Sequence, residues 1–405
     1  MKEIIVEGGR SLFGEITPQG SKNAALPIIF ASVLVRGISK INNVPRISDV
    51  DVALEILKDL GAKTDISGNT LWIDTENLTY KTPKEELVLK IRASTYLIGA
   101  LLGRFGVAEI MEFGGCNFDK RPIDLHIFAA EKFGASTDGN IIKTRGLRGA
   151  AVNFSKASVG ATINALIMAS AAEGESVITG GAREPHVFAL VDFLRSAGVS
   201  IYIEDNAFRV RGAEMKKAAS DVIPDMIEVG TYLLLAPLTD GEVWIKKKYA
   251  DGLTSSLEVL SRAGVCVDLR ENVKVYGKPK DKITVDTAAY PGYPTDLQPQ
   301  IAPVMAKCFG GTIRENVWLG RFGYLSEMAK FGVKYEREDN FARIYPSAVR
   351  PAQAVATDLR GGMACLMTAL SAKGKSRILN AENILRGYSD LEEKLQKLGA
   401  SVKIK

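Results

Sequence analysis

Two hydrophobic patterns recur along the chain, each six times. The first is an amphipathic helical stretch that ends in glycine and runs into short segments alternating apolar and polar residues. It reads ILKDLGAKTDISGNTLWID, AEKFGASTDGNIIKTRG, FLRSAGVSIYIEDNAFRVRG, VLSRAGVCVDLRENVKVYG, EMAKFGVKYEREDNFARIY and KLQKLGASVKIK. Its glycines are Gly61, Gly134, Gly198, Gly264, Gly332 and Gly399, spaced 64 to 73 residues apart. A glycine just past a helix end takes up the left-handed cap that other residues resist. The alternation that follows, broken by Gly-Asn or Asp-Asn, predicts a hairpin. The second pattern is a polar start leading into a helix apolar on nearly every face: GSKNAALPIIFASVL, IRASTYLIGALLG, SVGATINALIMASAAEG, IEVGTYLLLAPLTDG, TDLQPQIAPVMAKCFGG and TDLRGGMACLMTALSAKG. Helices apolar all round belong in an interior. Each repeat thus holds one buried helix, one amphipathic helix and several strands, and six repeats group as three plus three.

The helix starts carry the chemistry. They bear Lys22 with Asn23, Arg92, Ser158 with Gly160, Glu228, Asp296, and Asp358 with Arg360. Free N–H groups and the positive dipole end make such starts receptive to anions. Ser and Asp there are ordinary N-caps, which accounts for the Thr-Asp starts. It does not account for Lys22, Arg92 or Arg360, because a cation opposes the dipole at that end. Several such starts turned toward one cleft would bind phosphate and carboxylate.

Composition narrows the class. A chain of 405 residues is too long for one comfortable core, which predicts two domains. Its 46% hydrophobic and 24% charged residues are ordinary for a soluble globular protein. No stretch approaches the ~18 apolar residues of a membrane span. The start, MKEIIVEGGRSLFGEI, has charges where a signal peptide needs an apolar core, so a cytoplasmic location and no membrane partner are expected. The net charge of +5 fits acidic ligands and argues against nucleic acid. IKKKY, at Lys246 to Lys248, reads as a solvated strand end. Cys116, Cys266, Cys308 and Cys365 form no CxxC pair and have no His at ligand spacing, which argues against structural zinc or any bound metal. Cys266, in a strand-like alternation, and Cys308 and Cys365, in helical ones, are expected in the core. Cys116 alone sits in polar, Gly-rich surroundings. AKGKS at 372–376 lacks the first P-loop glycine and follows a helix. No GxGxxG follows a first strand, and no GxSxG is present.

Eight motifs in order make the chain resemble the UDP-N-acetylglucosamine 1-carboxyvinyltransferase family of enolpyruvyl transferases. They are GSKNAALPI (20–28), IRAS (91–94), GGC…RPIDLHI (114–127), KASVGAT (156–162), AREP (182–185), YPGYPTDLQ (290–298), ATDLR (356–360) and RGY (386–388). The resemblance runs nearly end to end. It implies a two-domain inside-out α/β barrel of six βαβαββ-like repeats, three per domain. It places residues 21–221 in a catalytic domain with a cysteine lid loop, residues 1–20 and 222–405 in a second domain, and the active site in the cleft between them. The implied reaction moves the enolpyruvyl group of phosphoenolpyruvate to the 3′-hydroxyl of UDP-N-acetylglucosamine and releases phosphate, the first committed step of peptidoglycan synthesis. It needs no cofactor.

The resemblance also implies roles. Cys116 would donate a proton to the methylene carbon, its thiolate favoured by Lys120 and Arg121. Asp296 would take the sugar hydroxyl's proton, its other reading being an N-cap. Lys22, Arg121 and Arg386 would clamp phosphoenolpyruvate, with Arg92, Arg321, Asp358 and Arg360 beside them. Arginine suits this because its planar fork meets carboxylate and phosphate oxygens two at a time. The nucleotide sugar would meet Asn23, Arg92, Arg121, Pro122, Ile123, Asp124, Leu125, His126, Lys156, Ser158, Val159, Gly160, Asp296 and Val317. Three departures stand out: NFDK after Cys116, VWLGRF where an acidic–Asn pair usually precedes the arginine, and His186 after AREP. They leave open a paralogue acting on another nucleotide. A catalytically silent nucleotide-sugar-binding protein of the same fold is the remaining alternative, against which Lys22, Cys116, Asp296 and Arg386 argue.

Overall fold

A computed structural model describes residues 2–110, 114 and 122–405; Cys116, Lys120 and Arg121 lie outside the described residues. The local signals of the repeat become structure directly. All six repeat glycines have φ between 84° and 102°, the left-handed cap that lets each amphipathic helix turn into a strand. The hairpin at Asp205-Asn206 has both residues at positive φ, the conformation that matches strand twist in a two-residue turn.

Six sheets result, five of four strands and one of three among the described residues. In one, Ala218–Asp221 runs parallel to Ile38–Asn42, which pairs antiparallel with Thr70–Asp74, itself antiparallel to Lys63–Ser67. The same order of one parallel and two antiparallel pairings recurs in the other four-stranded sheets. The last sheet reaches it by borrowing. Its third strand is Glu3–Gly8, the first strand of the chain, seated between Gly374–Leu379 and Ser401–Ile404. The three-stranded sheet, Val107–Glu109, Ile141–Lys143 and Ser136–Asp138, has only the antiparallel pairings.

The chain divides into two units, one taking it up to Gln19 and again from Pro224 onward, the other running from Gly20 to Ile223 in its described part. Each has its own hydrophobic core and three of the six sheets. In the Gly20–Ile223 unit the central helices are Lys22–Ala31, Leu97–Phe105 and Val159–Ala171; in the other they are Met226–Thr239, Gln298–Lys307 and Leu359–Ser371. Every residue of Met226–Thr239 and Leu359–Ser371 is buried. Helices inside and sheets outside are the inside-out α/β arrangement that the family resemblance implies.

One expected core residue lies elsewhere. Cys266 is exposed, on the sheet-edge strand Cys266–Asp268. Strand side chains alternate faces, and here Val265 takes the inward position, leaving the thiol outside. Cys365 is buried as expected, and Cys308, at a helix end, is half-buried. Lys246 to Lys248 are exposed at a strand end.

Candidate functional site

The unit containing Pro224–Lys405 gathers its charged candidates around Asp296. The sequence TDL occurs at two helix starts, and the two aspartates do different things. Asp358 is an N-cap, accepting from the N–H groups of Arg360 (3.0 Å) and Gly361 (2.9 Å). Asp296 caps nothing. It sits in the 3-10 turn Thr295–Leu297, one turn before the buried helix, and its carboxylate meets side chains. Arg321 Nη1 lies 2.7 Å from Oδ1. Arg360 donates to Oδ2 through Nη2 (3.0 Å) and Nε (3.2 Å). Arg360 therefore finds at Asp296 the compensation for its unfavourable place at a helix start.

Both arginines are nearly sealed, at 2% exposure for Arg360 and 7% for Arg321, while the Asp296 side chain keeps 27%. Burial alone would raise the Asp296 carboxyl, but the two guanidiniums outweigh it and hold the group far below the usual carboxylate range. Arg360 also donates to Tyr388 Oη at 3.2 Å. That oxygen meets Thr231 Oγ1 (3.0 Å) and accepts from Gln300 Nε2 (3.3 Å). Tyr388 is two residues beyond Arg386, so the candidate clamp is one short turn from the Asp296 cluster.

A buried carboxylate that the sequence reading passed over organises the loop to Arg321. Glu315 is fully buried and accepts from Thr287 Oγ1 (2.7 Å), Thr295 Oγ1 (2.9 Å) and the N–H groups of Val317 and Trp318 (both 2.9 Å). Arg321 Nη1 also donates to Thr295 Oγ1 at 3.0 Å. Glu315 thus aligns both partners of the Arg321–Asp296 pair. It leaves Val317 and Leu319 as exposed apolar side chains.

Glu228, read from the sequence as a helix-start residue, is buried within the first turn of its helix, whose N-cap is Asp225. It accepts from Lys394 Nζ at 2.6 Å and from the Gln19 N–H at 2.6 Å. Burial pushes its carboxyl up to about 7, against the pull of Lys394. A carboxyl raised in this way holds its proton in the folded state and releases it sooner when unfolded. Its stabilising contribution is therefore full below the ordinary value of 4.5 and lost as pH rises through about 7. Calorimetry should accordingly show the parent gaining on the order of 3 kcal/mol relative to Glu228→Gln between pH 8 and pH 4. A pH-independent difference between the two would exclude that titration.

In the Gly20–Ile223 unit the centre is Asn164, one of few polar residues in an apolar helix and also absent from the sequence expectations. It is fully buried, accepts from the Gly99 N–H (2.8 Å), and donates to Thr95 O (3.0 Å) and His126 Nδ1 (2.7 Å). Because the Asn164 amine can only donate, His126 Nδ1 accepts and the ring proton sits on Nε2. Burial, helped by the charge of Arg92, lowers His126 to about 4, so the ring is neutral at physiological pH. Its Nε2 edge faces Gly160: a β-carbon there would lie 3.1 Å from Nε2. His126, Gly160 and Arg92 are thus brought to one place, with the Ser158 N-cap, which accepts from the Ala161 N–H, beginning the same helix.

The remaining candidates are more scattered. Lys22 donates to Asp49 Oδ2 at 3.0 Å, both side chains largely buried. Asn23 and Val159 are half-buried at helix starts. Lys156 is exposed in the loop before Ser158. Pro122 and Asp124 are exposed, while Ile123 and Leu125 pack against the core. His186 is buried in the helix Pro185–Ser196. Gly114 donates to Val88 O, and a β-carbon would collide with Leu89 O, so close backbone approach demands glycine there. Among the described residues no group of His, Cys, Asp and Glu is placed to hold a metal.

Three sheets packed around buried helices in each unit, with Arg92 and Arg360 at helix starts, define the enolpyruvyl transferase architecture. The structure matches that of the enolpyruvyl transferase NikO from Streptomyces tendae with a TM-score of 0.88 at 25% identity, over 100% of this chain and 99% of that one. An EPSP synthase from Acinetobacter baumannii, at 16% identity and TM-score 0.73 over the full length of both, shares the fold. In sequence, the EPSP synthase (3-phosphoshikimate 1-carboxyvinyltransferase) family matches residues 6–395. The UDP-N-acetylglucosamine 1-carboxyvinyltransferase of Halothermothrix orenii is 37% identical, over 100% of this chain and 99% of its own. UDP-N-acetylglucosamine 1-carboxyvinyltransferase 3 of Caldanaerobacter subterraneus subsp. tengcongensis is 38% identical over 99% of both. The chain belongs to the UDP-N-acetylglucosamine 1-carboxyvinyltransferase family of enolpyruvyl transferases. Among the described residues no helix is long and apolar enough to cross a membrane.

Proposed function

We propose that this protein transfers the enolpyruvyl group of phosphoenolpyruvate to the 3′-hydroxyl of UDP-N-acetylglucosamine, releasing inorganic phosphate in the cytoplasm at the entry to peptidoglycan synthesis. The observation that carries the reading is the carboxylate of Asp296 held by Arg321 and Arg360, in a chain whose full-length relatives bear that activity's name. The sugar oxygen adds to C2 of phosphoenolpyruvate while its proton passes to a base and C3 gains a proton from Cys116. The tetrahedral adduct then loses a proton from C3 and expels phosphate, restoring the double bond. Lys22, Arg121 and Arg386 neutralise the anionic substrate, and His126 with Gly160 and Ser158 borders the nucleotide sugar.

The two-arginine clamp adds a condition. A carboxylate whose proton affinity is held this low is a poor base. Arg360 is fixed by Asp296 and Tyr388 within a buried helix, whereas Arg321 lies in a loop. When an anionic group of phosphoenolpyruvate draws Arg321 off, Asp296 recovers basicity at the moment the sugar hydroxyl must lose its proton. The base is switched on by the co-substrate.

The deciding experiment is phosphate release from phosphoenolpyruvate with UDP-N-acetylglucosamine, other UDP-sugars and no acceptor. Release that depends on UDP-N-acetylglucosamine is expected. Release with a different nucleotide alone would move the chain to a paralogous acceptor, a reading favoured by exposed Leu319 in place of the family's acidic–Asn pair. No release with any acceptor would refute transferase activity.

A further inference from the structure

All four polar groups of Gln19 are engaged within its own unit. Its N–H donates to Glu228 Oε2 (2.6 Å), and its carbonyl accepts from the Asp225 N–H (3.0 Å). Its side-chain Nε2 donates to Gly387 O (2.9 Å), and Oε1 accepts from the Ser389 N–H (2.6 Å). The amide therefore straddles Tyr388 and takes the two backbone groups on either side of it. Glu228 is held in turn by Lys394, so the anchor is rigid and, at 7% exposure, nearly dry. The segment it grips follows directly on Arg386, the C-cap of a short helical turn, Glu382–Leu385, too brief to orient an arginine by itself. Gly387 packs closely against Leu359, whose side chain a β-carbon there would meet at 2.6 Å.

We propose that Gln19 is a positioning residue for Arg386: its bidentate grip on Gly387 and Ser389 sets the direction from which the Arg386 guanidinium meets phosphoenolpyruvate. The inference rests on the role given to Arg386 above. No shorter side chain reaches both backbone groups, and no purely apolar one satisfies them. Gln19 is also the last residue of its unit before the chain enters the other, with Gly20 required next because a β-carbon would overlap Asn43 O. The grip is thus set where the chain changes units, three residues before Lys22.

The test is a double-mutant cycle between Gln19→Leu and Arg386→Lys, with steady-state KM and kcat for each substrate. Gln19→Leu should raise KM for phosphoenolpyruvate roughly 10- to 100-fold, the cost of a clamp displaced by about 1 Å. KM for the nucleotide sugar should stay within twofold. Adding Gln19→Leu to Arg386→Lys should then raise KM no further, because Gln19 acts only through Arg386. Gln19→Glu, which keeps the acceptor for Ser389 but not the donor to Gly387, should fall between parent and Leu, and covers the case in which Gln19→Leu does not fold. An unchanged KM in the Gln19 variants, or an additive double variant, overturns the proposal while leaving Arg386's role intact. A silent Arg386→Lys overturns that role and the proposal with it.

Discussion

Asp296→Asn should produce the largest combined loss of activity and stability of any single change in the Pro224–Lys405 unit. The carboxylate is the shared counter-ion of two nearly sealed guanidiniums. Removing one partner of a buried ion pair typically costs about 3–5 kcal/mol, because an uncompensated charge is left behind. For a unit of this size that corresponds to a fall in melting temperature of roughly 10 °C. Turnover should fall by about 10²- to 10⁴-fold through loss of the base. The two effects separate experimentally. Asp296→Asn with Arg360→Met removes a buried cation together with its anion and should recover much of the melting temperature while activity stays low. If the single variant melts like the parent, the cluster is not the ion hub that its distances describe.

Asn164→Leu should have the second largest effect, in the other unit. Leucine keeps the branched outline of asparagine, with bulkier methyl ends, but leaves the Gly99 N–H, the Thr95 carbonyl and His126 Nδ1 without their partner. Each buried unsatisfied group costs about 1–3 kcal/mol, so the variant should lose several kcal/mol and bind the nucleotide sugar weakly. Asn164→Asp isolates the electrostatic part. It keeps the acceptor for Gly99 and places a carboxylate beside His126, which should then titrate well above its present value of about 4. The ring proton signal of His126, one of only two histidines, reports this by NMR. His126 titrating unchanged in Asn164→Asp would show that the 2.7 Å contact does not set its charge.

Much of the fold is legible in the sequence because its signals are local. The six glycine caps and the Asp-Asn and Gly-Asn turns depend on a few neighbouring residues, and the all-apolar helices announce burial wherever they are packed. The site is legible only where chemistry contradicts local preference, as with Arg360 at a helix start. The two TDL motifs show the limit. Asp358 has the extended backbone of an N-cap, whereas a 3-10 turn displaces Asp296 from that position. Its fate was decided by Arg321 and Arg360, distant in the chain. Gln19, Glu315 and Asn164 are silent in the sequence for the same reason, since each serves groups that only tertiary structure assembles. Cys266 fails in the opposite way: the alternation is real, but alternation alone does not say which face is inside.

The borrowed strand of the last sheet matters before the protein is finished. Glu3–Gly8 leaves the ribosome long before both its neighbours, Gly374–Leu379 and Ser401–Ile404. At ordinary rates of translation the wait is on the order of tens of seconds. Throughout it Ile4 and Val6, both fully buried in the end, have no sheet to enter. The Gly20–Ile223 unit has no such delay, since all its described strands lie within its own span and Ala218–Asp221 completes them. Synthesis therefore imposes an order: the interior unit can fold while the nascent chain still carries an unpaired apolar strand ahead of it, the segment for which a chaperone would have most use.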